Sequence, residues 1–348
     1  MVESMGVNLS DIVQAEQVEL EDLAGQVVAI DAYNAIYQFL SVIRQPDGKP
    51  LMDQRGRVTS HLAGLLYRNA NFLELGIRPV YVFDGMPHKL KARTIAERSE
   101  RRSKAKREWE EAVEKGDYQK AFSKATQSSR ITNEVVESSR ILLSYLGIPV
   151  VQAPEEGEAQ AAYMAMKGDV WAASSQDFDS LLFGAPRLVR NLTITGRRRN
   201  PGKDQSKEVP VEIIMLGQVL EQARLTREQL IDVCILMGTD FNEGVMGIGP
   251  KKGLKLIQEH GSLEKVMALL QVEVEHYQEI REIFLRYEVM RDYRLDWREP
   301  DREKVISLLK DQYDFSEARV DSALKRMRAE GGPKRADEGS QRSLDMFS

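Results

Sequence analysis

The sequence predicts an α/β fold, because short apolar runs typical of buried strands alternate with segments of helical periodicity. Val27–Ile30 and Val80–Phe83 are two such runs, and an aspartate follows each of them directly. Between them, Thr59–Leu75 carries apolar residues along one helical stripe, and Gly76 follows it, as glycine commonly follows a helix. In an open α/β sheet, ligands bind at the carboxyl ends of the strands. Functional residues are therefore expected at that edge.

A helix is predicted directly after the first strand, because apolar residues from Ala35 to Ile43 recur at helical spacing. Tyr37 and Arg44 lie off the apolar face, and spacing alone makes them a surface tyrosine and a surface arginine. Residues 45–57 contain several prolines and glycines and are predicted to form a loop.

Two further predicted strands, Ile148–Val151 and Val170–Ala173, are each followed by a pair of carboxylates. The pairs are Glu156 with Glu158, and Asp177 with Asp179. The alanine-rich helix Ala159–Met166 places both glutamates at a helix N-terminus, where negative charge is favoured. Two like charges about 4 Å apart repel by roughly 4 kcal/mol at a surface-like dielectric. A divalent cation removes that cost, and Mg²⁺ prefers oxygen ligands. Taken alone, either pair is better explained as a solvated acidic turn.

Composition narrows the classes of protein and the kinds of metal site. The chain has 348 residues, 42% of them hydrophobic, and no apolar run of about 18 residues that would span a membrane. The single cysteine, Cys234, lies in an apolar run, allows no disulfide framework and fits a reducing cytosol. The four histidines lack metal-ligand spacing, so any metal must be held by oxygen. The N-terminus has no secretory signal pattern, and a cytoplasmic location is expected.

Charge is distributed unevenly, although the net charge is only −5. The segment His88–Arg107 has nine Lys or Arg against two Glu, a local charge of +7. From Lys89 to Ser129 helix-forming residues dominate and apolar residues are sparse, which predicts mobile helices that project from the core. Thr132–Leu146 is predicted to be a better buried helix. Basic runs are usually solvated faces, but this one lies beside the acidic stretch in sequence, as a polyanionic substrate around a metal centre would require.

A second basic run, Arg197–Arg199, follows the acidic stretch. It lies in the segment Gly196–Lys207, which is predicted to be a flexible loop. Two short strands, Leu188–Arg190 and Leu192–Ile194, are predicted before it.

A capping box at Thr226–Gln229 opens a helix that ends at Asp240, the seventh carboxylate to follow an apolar element. The glycine-rich turn Gly247–Gly253 places a proline at the first position of the next helix. Free backbone N–H groups at a helix start bind phosphate, and Lys251 and Lys252 add positive charge. The alternative is a simple helical hairpin. Residues 261–330 are expected to be mostly helical, without chemistry of their own.

In combination, these features resemble the flap endonuclease family of structure-specific 5′ nucleases, in its archaeal form. The phrases that carry the resemblance occur in the family's order over nearly the whole chain, from about Met5 to Arg328. They are Val80–Gly85, Ala153–Ala159, Gln176–Asp179, Gly238–Asp240 and Gly247–Lys251. The resemblance implies a PIN-like core with a mostly parallel sheet flanked by helices, a helical arch, and a helix–two-turn–helix element that binds DNA.

The resemblance also implies roles for individual residues. Two Mg²⁺ ions would be held, the first by Asp31, Asp84, Glu156 and Glu158 and the second by Asp177, Asp179 and Asp240. Lys91 and Arg98 would be the catalytic cations of the arch, at the scissile phosphate. The DNA-contacting residues would be Tyr37, Arg44, Arg68, Gly247, Gly249, Lys251 and Lys252. Gln341, Leu344 and Phe347 would bind a sliding clamp (PCNA), although Ser348 stands where a second aromatic residue is common.

The function implied is cleavage of 5′-flap DNA at the flap–duplex junction, with 5′-3′ exonuclease activity, by a monomer in replication and repair. A non-catalytic DNA-junction or clamp-binding protein on the same fold is the alternative. A small PIN-type ribonuclease would lack both the arch and the glycine hairpin, and a bubble-cutting nuclease would carry a longer insert between Leu90 and Ile131. The expected divisions are a first nuclease region (1–107), a second nuclease region (108–263), a C-terminal helical part of the same core (264–330) and a flexible tail (331–348).

Overall fold

A single mixed sheet lies at the centre of the computed structural model, which describes residues 7–45, 49–194, 196–199 and 206–328. The strands of the sheet are β1 (Glu16–Val18), β2 (Val27–Asp31), β3 (Arg78–Phe83), β4 (Val150–Gln152), β5 (Ala172–Ser174), β6 (Arg187–Arg190) and β9 (Val211–Met215). Strands β7 (Gly196–Arg199) and β8 (Ser206–Val209) form a separate antiparallel ribbon.

The strand order in the sheet is β1-β9-β6-β5-β2-β3-β4. Strand β2 pairs in parallel with both β3 and β5, and the outer pairs β3–β4 and β5–β6 are parallel as well. Only β9 runs antiparallel, against β6 on one side and β1 on the other. The prediction of an α/β fold with a mostly parallel sheet is confirmed, and the carboxyl ends of β2, β3, β4 and β5 consequently meet at one edge.

Helices flank this sheet on both faces. They are α1 (Ala32–Val42), α2 (Ser60–Glu74), α3 (Ala92–Glu114), α4 (Tyr118–Gln127), α5 (Asn133–Tyr145), α6 (Gly157–Lys167), α7 (Asp179–Leu182), α8 (Leu216–Ala223), α9 (Arg227–Met237), α10 (Pro250–His260), α11 (Leu263–Leu270), α12 (Tyr277–Leu285), α13 (Arg302–Ile306) and α14 (Glu317–Arg328). A short 3₁₀ turn (Lys89–Lys91) precedes α3, and a π-helical stretch (Ser307–Gln312) follows α13. None of these helices combines the length and the apolar character that crossing a bilayer requires.

Alternation along the central strands creates the two halves of the core. In β3, Val80 and Val82 pack on the face that carries α6 and α9, whereas Tyr81 and Phe83 pack on the face that carries α2 and α5. Such strict alternation is what a strand covered on both faces requires. Cys234 is a buried core residue of α9, as its sequence context predicted.

The predicted helix boundaries agree with the structure where capping signals mark them. Helix α9 begins with the predicted capping box, in which the Thr226 side chain accepts from the Gln229 backbone N–H and the Gln229 side chain accepts from the Thr226 backbone N–H. Helix α2 ends one residue before Leu75, and Gly76 follows with a φ of 77°, a conformation that favours glycine.

Two predictions in the segment after β6 are wrong. Leu192–Ile194 is a turn rather than a strand, because Asn191 adopts a φ of 64° and redirects the chain, so that Leu192 and Thr193 become buried. The segment Gly196–Lys207, predicted as a flexible loop, includes β7 and the start of β8, which pair in antiparallel register. Residues 200–205 of that segment lie outside the described ranges.

The predicted helical arch corresponds to α3 and α4, which pack against each other. Helix α3 has 23 residues and buries only Ala105 and Ala112, as its sparse apolar content predicted. That these helices are mobile remains a prediction. Residues 261–328 are mostly helical, and their longest irregular segment is 286–301. Helices α13 and α14 pack on α5 and α2, whereas α11 and α12 pack on α9 at the other face of the sheet.

Candidate metal centre

Seven carboxylates from both halves of the chain occupy the carboxyl edge of the sheet. Asp31 is the last residue of β2, Asp84 follows β3, Glu156 and Glu158 flank the start of α6, Asp177 and Asp179 follow β5, and Asp240 follows α9. Five of them are buried, and Asp84 and Glu158 are half-buried. Electrostatic interactions link Asp31 to Asp84 and Asp177, link Asp179 to Asp177 and Asp240, and join Glu156 to Asp84 and Glu158 to Asp179. The predicted ligands therefore form one cluster.

Backbone N–H groups fix the orientation of three of these carboxylates. Asp31 Oδ1 accepts from Asn34 N at 3.0 Å, Asp84 Oδ1 accepts from Gly157 N at 2.7 Å, and Asp179 Oδ1 accepts from Val7 N at 2.9 Å. A Cβ atom at Gly157 would lie 2.5 Å from Asp84 Oδ1, so a side chain there would displace the carboxylate. This close approach explains why glycine stands between Glu156 and Glu158.

Two cations of the arch reach into the cluster. Lys91 Nζ forms an ion pair with Glu156 and lies 3.3 Å from Asp240 Oδ2, and Arg98 forms an ion pair with Asp240. Thr94 adds a third link, because its hydroxyl donates to the Asp240 carbonyl at 2.8 Å. In the described part of the chain, no three or more acidic, histidine or cysteine side chains converge on one point as ligands of an ion. Lys91 instead bridges Glu156 and Asp240.

Burial and mutual repulsion make the ionised form of the cluster costly. Burial is the largest cause and a neighbouring carboxylate the next, raising the pKa of Asp84 to about 6 and that of Asp179 to about 8. The same causes raise the pKa of Asp31 and of Glu158 well above the ordinary range. Glu158 Oε1 is moreover buried without a hydrogen-bond partner. An all-oxygen, excessively negative donor set of this kind fits a hard divalent cation.

These pKa values predict how the stability of the metal-free protein depends on pH. A carboxyl group whose pKa is higher in the folded state binds more protons when folded, so its contribution to stability falls as pH rises. For Asp179 this loss of stability occurs as the pH rises from 3.8, the ordinary pKa of the group, to about 8, its raised pKa in the folded protein. Mg²⁺ is expected to bind these carboxylates in their ionised form and so to raise the melting temperature of the protein. This increase should be several degrees larger at about pH 8 than at about pH 6. Thermal unfolding with Mg²⁺ and with chelator measures this, and an equal increase at both pH values would contradict it.

Three side chains expected to contact DNA, those of Tyr37, Arg44 and Arg68, lie on or just after helices α1 and α2. Arg102 of α3 lies over the Tyr37 ring of α1, 5.5 Å from its centroid. Arg44, at the end of α1, donates from Nη2 to Ser129 Oγ at 2.6 Å. Arg68 is a half-buried residue of α2, and burial lowers its pKa. Tyr37 and Arg44 are thus not the isolated surface residues that spacing alone suggested.

The glycine turn after Asp240 has the predicted form of a helix start. Gly247 has a φ of 77°, Gly249 is the N-cap residue of α10, and a proline occupies the first turn. Lys251 and Lys252 are exposed at the start of α10, beside its free backbone N–H groups. Because α10 packs against α9, which leads to Asp240, the turn is held in a fixed relation to the carboxylate cluster. The predicted clamp-binding residues Gln341, Leu344 and Phe347 lie outside the described residues.

Several contacts of the cluster were not predicted from sequence. The backbone N–H of Val7 and the side chain of Asn34 contact carboxylates of the site, and the Thr94 hydroxyl contacts the backbone carbonyl of Asp240. Asn34 gave one available signal, since it is a polar residue within a mostly apolar helical run. Val7 and Thr94 gave none, because their partners lie 172 and 146 residues away.

Family models match both halves of the site. The XPG N-terminal domain matches residues 2–105, and the XPG I-region matches residues 147–240. Together these matches include all seven carboxylates and both arch cations. With the carboxylate cluster at the sheet edge, they define the protein as a nuclease of the XPG class, a metal-dependent phosphodiester hydrolase.

Known proteins similar to this chain narrow the class further. This chain is 52% identical over 325 residues to Flap endonuclease 1 of Archaeoglobus fulgidus, and the alignment covers 93% of this chain and 96% of that protein. It is 50% identical to Flap endonuclease 1 of Pyrococcus furiosus, covering 99% of both. The solved structure of flap endonuclease-1 from Methanococcus jannaschii is 43% identical, covers 92% of this chain and 98% of that one, and aligns with a TM-score of 0.74. The chain therefore belongs to the flap endonuclease family.

A more distant structure is informative because it contains DNA. The catalytic core of Rad2 in complex with DNA substrate is 25% identical and aligns with a TM-score of 0.67, covering 90% of this chain and 96% of that one.

Proposed function

We propose that this chain is a structure-specific 5′ flap endonuclease with 5′-3′ exonuclease activity. It cleaves DNA at the flap–duplex junction during replication, in the maturation of Okazaki fragments, and during repair. The observation that carries this proposal is the contact between Lys91 and Arg98 of the arch and the buried carboxylates at the sheet edge. This contact supports a single site in which the cations would bind phosphate and the carboxylates would hold metal.

Two Mg²⁺ ions per chain are proposed. Asp31, Asp84, Glu156 and Glu158 would hold the first, and Asp177, Asp179 and Asp240 the second. When bound, a pair of such ions activates the attacking water and stabilises the leaving oxygen of an in-line displacement. The donor set supports the assignment, since every candidate ligand is a carboxylate and no histidine takes part.

Lys91 and Arg98 provide positive charge for the phosphate. In the DNA-free protein Lys91 pairs with Glu156 and Arg98 pairs with Asp240. In the complex, metal would replace the cations at these carboxylates, and the substrate phosphate would replace the carboxylates at these cations. Cations positioned at the non-bridging oxygens stabilise the negative charge that develops in the transition state. Hydrolysis at this position leaves a 5′-phosphate and a 3′-hydroxyl.

The target phosphodiester must leave its duplex to reach the buried cluster, so unpairing at the junction is part of the proposal. Tyr37 supports this step, because a base stacked on an aromatic ring gains about 1–3 kcal/mol. Arg102, which lies over the Tyr37 ring in the DNA-free protein, would yield that face to the base. The arch, closed over a free 5′ end, would select flaps from internal strands.

The turn before α10 is proposed to hold the backbone of the downstream duplex. Replacing Lys251 and Lys252 together by alanine should weaken flap-DNA binding for all sequences alike, and should lower the slope of log affinity against log salt by about 1 per lost phosphate contact. Lys255→Ala is the matched control, because Lys255 lies on the same helix and pairs with Glu259 at 3.7 Å. Equal salt slopes in the double variant and in the wild type would remove this turn from the DNA interface.

Substrate geometry tests the proposed function. Cleavage rates with Mg²⁺ are compared for a double-flap DNA, the same flap with its 5′ end blocked by a bulky group, and a fully paired duplex. The proposal expects the free flap to be cut fastest and the blocked flap to be strongly impaired, because the arch selects a free end. Equal rates on all three would mean a nuclease without structure specificity.

The alternative is a non-catalytic junction-binding or clamp-binding protein on the same fold. Such a protein would have no need of buried carboxylates that raise each other's pKa, and all seven are present here. Binding of the flap DNA without any cleavage in Mg²⁺ or Mn²⁺ would favour this alternative.

A sliding clamp (PCNA) is proposed to bind the C-terminal tail through Gln341, Leu344 and Phe347. Truncation after Arg335 should leave flap cleavage unchanged and abolish its stimulation by the clamp, because the three anchors are removed together. Cleavage assays with and without clamp measure both effects. Stimulation retained by the truncated chain would show that the anchor lies elsewhere.

The remaining proposals concern organisation and location. The chain is proposed to act as a monomer on branched DNA in the cytoplasm, at the nucleoid, because that is where a prokaryotic cell keeps its chromosome. The divisions at 107, 263 and 330 are retained as proposed boundaries.

A further inference from the structure

A chain of three buried polar side chains leads from the turn after β6 to the carboxylate cluster. Asn34 is the third residue of α1, Gln38 lies one helical turn later, and Thr193 lies in the turn. Their exposed fractions are 7%, 2% and 6%. Polar groups buried this deeply require hydrogen-bond partners. Each of the three side chains bonds the next group along the path toward the carboxylate cluster.

The direction of this chain is determined by its end, where Asn34 meets a carboxylate. The amide nitrogen of Asn34 donates to Asp177 Oδ2 at 3.3 Å, the direction required by a metal-binding carboxylate, which can only accept hydrogen bonds. The amide oxygen of Asn34 then faces the other way and accepts from Gln38 Nε2 at 2.9 Å. Gln38 in turn presents its own oxygen to the Thr193 hydroxyl, which donates to it. Each amide is thereby held in one orientation.

Asn34 also contacts the cluster through its backbone, where its N–H donates to Asp31 Oδ1. Asp31 and Asp177 follow adjacent parallel strands and belong to the two different proposed metal sites. One residue therefore fixes a carboxylate of each site, through two different groups. Groups that orient metal ligands by hydrogen bonding commonly change metal affinity by roughly 10- to 100-fold when removed.

We propose that Asn34 is a positioning residue that sets the Asp177 carboxylate for metal binding, and that Gln38 and Thr193 keep its amide nitrogen directed at that carboxylate. The inference rests on the proposed function, since it assumes that the cluster binds metal. Asn34 itself contacts neither substrate nor the reacting atoms.

The test is the affinity of the DNA-free, full-length protein for Mn²⁺, measured by the electron paramagnetic resonance signal of the free ion. Asn34→Ala is expected to weaken Mn²⁺ binding by roughly 10-fold or more. Gln38→Leu, which keeps the side-chain volume but frees the amide of Asn34 to turn, should weaken it in the same direction. The double variant should bind no more weakly than Asn34→Ala alone, because both changes act through one hydrogen bond.

Asn69→Ala is the matched control. Asn69 is equally buried and bonds the Leu65 carbonyl and the Tyr81 hydroxyl, away from the carboxylates. Its loss should lower the melting temperature without changing Mn²⁺ affinity. In cleavage assays Asn34→Ala should need more Mg²⁺ for half-maximal rate and regain most of the rate at saturation, which a general loss of structure would not produce.

The outcomes separate this inference from the proposed function. Wild-type Mn²⁺ affinity in a folded Asn34→Ala or Gln38→Leu variant would overturn the positioning role and leave the metal centre intact. If Asn34→Ala does not fold, Gln38→Leu decides alone. Absence of Mn²⁺ binding by the wild-type protein would overturn the metal centre, and the positioning role with it.

Discussion

Asp179→Asn is expected to lower flap cleavage by about 10³-fold, equivalent to roughly 4 kcal/mol of transition-state stabilisation, while flap-DNA binding stays within a few-fold. Asp179 is buried at the start of α7, and its Oδ1 accepts from Val7 N at 2.9 Å. An asparagine oxygen can accept the same bond, so the local structure should persist. What is lost is the negative charge that holds a metal ion.

The fold should tolerate this change well. In the metal-free protein, burial and the neighbouring Asp240 raise the pKa of Asp179 to about 8, so a neutral side chain at this position relieves an electrostatic cost. Loss of one negative charge also reduces repulsion of the DNA phosphates. Single-turnover cleavage and DNA-binding titrations, run in parallel, measure the two effects.

Asp169→Asn is the matched control for Asp179→Asn. Asp169 lies between α6 and β5, at the opposite end of that strand from the cluster, and accepts from the Tyr293 hydroxyl. Cleavage by this variant should remain near that of the wild type. Joint loss of cleavage and DNA binding in Asp179→Asn would instead identify Asp179 as a structural aspartate.

Arg98→Ala should lower the single-turnover rate by roughly 10²- to 10³-fold, with only a modest change in DNA affinity. The arginine reaches from α3 to Asp240, so it is positioned where the scissile phosphate would meet the carboxylates. A cation that acts mainly on the charge of the transition state contributes little to binding of the ground state. Quenched-flow measurement of the rate at saturating enzyme separates an effect on the cleavage step from an effect on DNA binding.

Arg93→Ala provides the comparison on the same helix. Arg93 is exposed and pairs with Glu97 at 2.9 Å and with Glu243, but not with the buried carboxylates. Its removal should change the rate little beyond a small effect of general charge. An unchanged rate for Arg98→Ala, or an equal loss in both variants, would remove Arg98 from the mechanism.

Much of the fold followed from local pattern. Strands β2 and β3 are apolar runs followed by aspartate, and parallel pairing of such strands brings their carboxyl ends together at one edge. The same logic placed Asp177 and Asp179 after β5. The capping box at Thr226 and the proline at the start of α10 determined helix starts through short-range hydrogen bonding and backbone restriction, which sequence alone expresses.

Contacts between distant residues could not be predicted in this way. The hydrogen bond from Asn34 to Asp177 joins residues 143 positions apart, and that from Arg44 to Ser129 joins residues 85 apart. Neither follows from periodicity, because each depends on how α1 packs beside the sheet and the arch. The β7–β8 ribbon was missed for a related reason, since a run of charged and polar residues carries little strand signal and only cross-strand pairing defines it.

The most direct test of the account is cleavage of a 5′-labelled double-flap DNA by the wild-type protein, with Mg²⁺ and with chelator, followed by sizing of the labelled product. The account predicts one principal product, cut near the base of the flap, that forms with Mg²⁺ and disappears with chelator. Tight binding of the DNA with no product in either condition, or a product that forms equally with chelator, would contradict the central claim that this carboxylate cluster is a metal-dependent flap nuclease site.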